Sequence, residues 1–114
     1  GNGDASTYAT AVTSFATKRI SDTKASASVL VQFTRTADEY VVAIVLQKKT
    51  SSGWVTATDV SGSAHYYRGS NKDSVTTYDT WTVKKGVLYR IKCVSTDKYD
   101  SGLEYSYTNY SDPF

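Results

Sequence analysis

The chain predicts an all-β fold, a two-sheet antiparallel sandwich of about seven strands. Three observations carry this. Short stretches alternate apolar and polar residues with a period of two. No stretch offers an amphipathic helix long enough to cover a sheet. Turn signals recur roughly every 8–12 residues. The composition agrees: 10 Tyr, two Trp and three Phe stand among 114 residues, and such flat side chains pack well on a pleated surface. A small barrel buries alternate residues in the same way and stays open as the alternative.

Residues 1–7 read as a flexible N-terminal segment and residues 8–114 as a single domain. Between Tyr8 and Ile20 an edge strand is expected, because Tyr8, Thr10 and Val12 share a strand face. The alanines and Phe15, with Ser6 as a cap, would permit a short helix instead. From Ala25 to Thr34 the alternation is clear. Ala25, Ala27, Val29, Val31 and Phe33 point one way, and Ser26, Ser28, Gln32 and Thr34 the other. The polar run Arg35 to Glu39 is expected to end this strand.

Tyr40 to Lys49 is apolar on both faces at first, which predicts a central strand that becomes solvated at Gln47. Thr50 to Gly53 forms a hairpin loop, and Trp54 to Val60 returns as a strand with Trp54 covering the hairpin. Ser61 to Asp73 reads as a loop around a short strand near Ala64 to Arg68. Strands follow at Ser74 to Val83 and Val87 to Ser95, separated by the Lys85-Gly86 turn. In the latter, Tyr89, Ile91 and Cys93 oppose Arg90 and Lys92. Thr96 to Gly102 turns the chain, Leu103 to Tyr110 closes the fold, and Pro113 suits an end because it cannot donate to a ladder.

The 13 basic and 11 acidic residues leave a formal charge of +2, spread along the chain. This argues against a nucleic-acid partner. No apolar run is long enough to predict membrane insertion by a helix. The single cysteine, Cys93, excludes an intrachain disulfide.

The segment Val83-Lys84-Lys85-Gly86-Val87-Leu88-Tyr89-Arg90-Ile91-Lys92-Cys93 resembles the E–F corner of fibronectin type III and other immunoglobulin-like domains. Val83 precedes the turn and Tyr89 follows it at the spacing of those domains. The resemblance implies that the Tyr89 hydroxyl bonds back to backbone near the turn. It also assigns Tyr40 and the Leu46 to Trp54 hairpin to a C–C′ region. The usual turn proline is absent, and Trp81 lies near the turn in place of a tryptophan early in the B strand. Residues 25–110 are also similar to small secreted β-sandwich proteins of unknown function from Gram-positive gut bacteria. The Leu46-Gln47-Lys48 to Trp54 hairpin, the Tyr89-Arg90 strand and the ending Ser106 to Asn109 carry this likeness. It implies a secreted or cell-surface location in such a bacterium, an adhesion-like role, and no defined site residues.

Chemistry is sparse. His65 is the only histidine, and with Cys93 it falls short of the roughly four ligands of a structural zinc site. Cys93 is expected to be a buried, inert hydrophobe. Asp38 and Glu39 are adjacent, and Asp97, Asp100 and Glu104 surround the last turn. Paired carboxylates would suit a glycosidase, and the second group could offer oxygens to calcium, but its spacing is not that of an EF-hand. No nucleophile elbow or phosphate loop occurs. No metal or cofactor is expected, and the chain is not expected to be an enzyme.

The surplus of aromatics is the strongest positive feature. Tyr66 and Tyr67 must face opposite sides if extended, and Tyr105 and Tyr107 share a face that Tyr110 does not. These four, Tyr66, Tyr67, Tyr105 and Tyr107, are the candidate ligand-binding residues, since exposed tyrosines bury large area at low entropy cost. Ordinary cross-strand pairing is the competing explanation. Tyr89, Trp54, Trp81 and Cys93 are expected to be structural. The leading expectation is non-catalytic recognition of a surface protein or a carbohydrate. A structural or self-associating module and a small glycan hydrolase are the alternatives.

Overall fold

The computed structural model describes residues 11–114. The expected flexible segment 1–7 and the start of the first expected strand lie outside the described residues. Six strands follow: β1 (Val12–Ser21), β2 (Lys24–Thr50), β3 (Gly53–Thr56), β4 (Ala64–Thr82), β5 (Tyr89–Lys98) and β6 (Glu104–Tyr110).

These strands do not form the expected two-sheet, immunoglobulin-like sandwich. They form a single antiparallel sheet that curls into a half-barrel, with β1, β2, β5 and β6 in that order and with β3 and β4 on the other edge of β2. The reason lies in β2. Its 27 residues would span ~90 Å if straight, at ~3.3 Å per residue, whereas the longest dimension of the molecule is 48 Å. The strand must therefore bend. The bend falls where the register shifts between Gln32 and Ala37. There Thr34, Arg35 and Thr36 are exposed while Phe33 and Ala37 stay buried.

The polar run expected to end a strand is thus an irregularity inside one, and a bulge of this kind bends its strand. β4 bends alongside it. Ala37 pairs with Lys72 and Glu39 with Ser70, and Asn71 takes a left-handed φ of 55°, a conformation asparagine tolerates better than most residues. Residues 69–73, expected as loop, therefore join two halves of one strand. With both strands continuing around the curve and pairing on either side of it, the described residues hold one sheet and no separate second one.

The curl makes two arms. The first holds β1, residues 24–32 of β2 and residues 74–82 of β4. The second holds β5, β6, β3, residues 39–50 of β2 and residues 64–70 of β4. The inner faces meet in the core. Ala25, Ala27, Val29 and Val31 come from the first arm, and Val42, Ile44, Leu46, Ile91 and Cys93 from the second, all fully buried. Large and small residues interdigitate. Trp81 pairs with Ala25 and sends its Nε1–H to the Gly62 carbonyl at 2.8 Å.

Side chains clasp the open side. Arg19 of β1 donates to the carbonyls of Val87 at 2.8 Å and Lys84 at 2.6 Å, and its guanidinium lies 5.3 Å from the Tyr89 ring centre. Asn109 of β6 donates to Thr13 of β1 at 3.3 Å. The chain end continues along β5: Tyr89 and Phe114 exchange backbone hydrogen bonds at 2.9 and 2.8 Å. The Arg19 and Asn109 contacts join the arms where the sheet itself does not close.

Candidate recognition surface

Strand alternation and the curl together sort every side chain of the second arm into an inner and an outer set. Outward rows can be read across the register. Arg68, Val41, Thr96 and Ser106 form one row, Tyr66, Ala43, Val94 and Thr108 the next, and Ala64, Val45, Lys92 and Tyr110 the third. Gln47 with Arg90, then Lys49 with Trp54, extend the face to the hairpin end. The Thr96 and Ser106 hydroxyls, 3.1 Å apart, link neighbours within one row.

The face is ~20 Å across four strands and ~33 Å along β2, at the usual strand spacing and rise. Its area, roughly 600 Å², approaches the ~800 Å² that one partner gives to a standard interface. It carries no cleft, and no pocket opens among the described residues.

Three residues from three strands build its hairpin end. The Arg90 guanidinium lies 4.6 Å from the Trp54 ring centre and 4.0 Å from that of Tyr110. Its Nε donates to Gln47 Oε1 at 2.7 Å. Lys49 adds a second cation over Trp54 at 5.6 Å, and at the other edge Arg68 lies 5.7 Å from the Tyr66 ring. Guanidinium over an aromatic face is attractive through the ring quadrupole, so the stack holds Trp54, Arg90 and Tyr110 in fixed orientation. Between these groups Val41, Val45 and Val94 are half-buried and form an apolar floor.

Of the four tyrosines expected to bind ligand, only Tyr66 lies on this face, 61% exposed. The other three point inward. Tyr67 donates to Asp79 at 2.7 Å, and burial together with that carboxylate pushes its phenol up to about 12. Tyr105 meets Tyr99 edge-on at 6.1 Å. Tyr107 is half-buried, and burial followed by the Asp97 charge pushes it up to about 12. Parity shows that Tyr105 and Tyr107 oppose Tyr110, but only the direction of curl decides which side is inside. Arg90, Arg68 and Tyr110 were not selected from the sequence. The outward alternation of Arg90 and Lys92 against Tyr89, Ile91 and Cys93 is the signal that points to Arg90.

Of the residues expected to be structural, Tyr89 is fully buried and its hydroxyl accepts the Lys84 N–H at 2.9 Å. Trp81 and Cys93 are buried, and burial pushes the thiol up to about 11, which disfavours the reactive thiolate. Trp54 is half-buried at the centre of the outer stack.

The carboxylates scatter. Asp97 is buried on the inner face and accepts the Tyr99 hydroxyl at 2.5 Å. Glu104 points outward to Lys98 at 3.5 Å. Asp38 accepts the Asp100 backbone N–H at 2.7 Å. Asp79, also buried, bonds His65 Nδ1 and Tyr67. Among the described residues no three His, Cys, Asp or Glu side chains are grouped to hold a metal ion. Comparison with protein-family models, with curated proteins and with solved structures finds no match to this chain.

Proposed function

We propose that this chain is a non-catalytic recognition domain that docks a protein partner on the outer face of its second arm. The Trp54–Arg90–Tyr110 stack carries the reading. Trp, Tyr and Arg are the residues that dominate binding energy at protein interfaces. Here all three are already oriented by one another, so docking costs them little further side-chain entropy. A flat, apolar floor with polar edges is the anatomy of such an interface. The absence of a cleft among the described residues fits a flat partner better than a small molecule.

The test is an array of extracellular-matrix and bacterial surface proteins, with glycans printed alongside, probed with the purified chain after light scattering has fixed its oligomeric state. The expected result is a saturable protein hit. Tyr66→Ser and Tyr110→Ser should weaken it at least about tenfold, the scale of one hot-spot residue. Tyr78→Ser should leave it unchanged. Tyr78 is 64% exposed on the outer face of the first arm and so controls for generic tyrosine stickiness. A hit weakened equally by all three variants, or no hit from well-folded protein, refutes the proposal.

A further inference from the structure

We infer that the partner surface docked by the second arm is acidic. This rests on the docking face proposed above and adds the chemistry of what covers it. Lys49, Arg68, Arg90 and Lys92 all project from that face. Among the described residues none of the four forms an ion pair. Other cations of the chain do: Lys48 and Lys84 share Asp59 at 3.1 and 2.8 Å. The acids of the face, Glu39 and Glu104, lie together at the end nearest the bend, where Lys98 sits between them in the register. The rest of the face is therefore cationic, although the chain as a whole is nearly balanced at +2. Such segregation steers an oppositely charged surface into register and penalises like-charged ones.

The same geometry favours an acidic protein over an acidic polysaccharide. Sugar recognition by stacking needs an open ring face. Here Arg90 covers a face of Trp54 and of Tyr110, and Arg68 stands over Tyr66. The rings serve as supports that aim guanidinium groups outward. A guanidinium presents a fork of donors that matches a carboxylate in two parallel hydrogen bonds. Val41, Val45 and Val94 then supply the apolar contact that a folded partner can bury and a hydrated polysaccharide cannot.

The probes are poly-L-glutamate and polygalacturonate of matched charge, titrated into isotopically labelled protein, with the indole N–H resonances of Trp54 and Trp81 as reporters. Poly-L-glutamate is expected to shift Trp54 and not the buried Trp81, and to weaken steeply as salt rises, since exposed charges are screened. Replacing Arg68 and Lys92 together by Gln should weaken it about tenfold. Replacing Lys18 and Lys24, outward on the first arm, by Gln removes the same charge and should change it less than about threefold. Equal losses in both double variants, tighter binding of polygalacturonate, or no binding of poly-L-glutamate at low salt overturns the inference. The two proposals fail separately. If the array hit is lost with Tyr110→Ser but unmoved by the Arg68 and Lys92 pair, the face stands and the acidic partner falls. If neither set moves it, the face itself falls.

Discussion

Gly69→Ala is the substitution whose outcome the fold determines most sharply. Gly69 has an ordinary strand conformation, and it pairs directly with Tyr40 across β4 and β2. Its need for glycine is spatial. A Cβ there would stand 2.6 Å from Tyr40 Cζ and 2.8 Å from Cε2, so the phenol ring lies over the bare backbone and must move. Ring movement is resisted, because Tyr40 packs against Phe33 with ring centres 5.9 Å apart.

Two effects compete. Alanine in a strand gains ~0.5–1 kcal/mol over glycine through the unfolded state. Overpacking a filled site costs ~1–3 kcal/mol. The clash wins, leaving a net loss of about 1–2 kcal/mol, or roughly 4–8 °C in Tm for a domain of this size. Thermal and urea unfolding followed by circular dichroism measure it. The decisive comparison is the double variant. In a Tyr40→Leu background the same Gly69→Ala change should be neutral or stabilising, a coupling of at least ~1 kcal/mol. If Gly69→Ala alone is harmless, or if its cost persists without the ring, the spatial explanation is wrong.

Tyr89→Phe removes the acceptor of the Lys84 N–H without changing the packed ring, and should cost about 1–2 kcal/mol in urea unfolding, the penalty of stranding one such donor. An unchanged midpoint would show that the hydroxyl contributes nothing at that turn. In alkali, Tyr67, Tyr99 and Tyr107 should ionise late, their folded values standing near 12 against an ordinary 10. Burial and the Asp79 or Asp97 carboxylate disfavour the phenolate. Because the folded values are raised, the stability these groups add is present in full below pH 10 and is lost as pH rises from 10 towards 12. Tyrosinate absorbance should show a late-titrating subset of the 10 tyrosines, merging with the rest in urea. A single native titration near pH 10 would contradict the inward placement of these rings.

Period-two alternation was enough to establish all-β character and the set of residues sharing a face in each segment. Ala25, Ala27, Val29, Val31 and Phe33 are buried together on that basis. The hairpin at residues 50–53 was legible because Gly53 must take a positive φ, here 111°. These are local properties, decided by side-chain parity and backbone sterics within a few residues. The sandwich expectation failed where local signals are silent. Arg35 to Glu39 and Gly69 to Asp73 are polar because they lie on a bend, and whether a polar stretch ends a strand or bends one depends on what its backbone pairs with. That partner is some 35 residues away along the chain, as Ala37 and Lys72 show. The recognition surface depends on tertiary structure most of all. Sequence assigned Arg90 and Tyr110 to faces of their own strands. Only the pairing of β2 with β3 and β5, and of β5 with β6, sets Trp54, Arg90 and Tyr110 in one stack, because a cation–aromatic contact requires a few ångströms of spatial proximity that strand parity cannot specify.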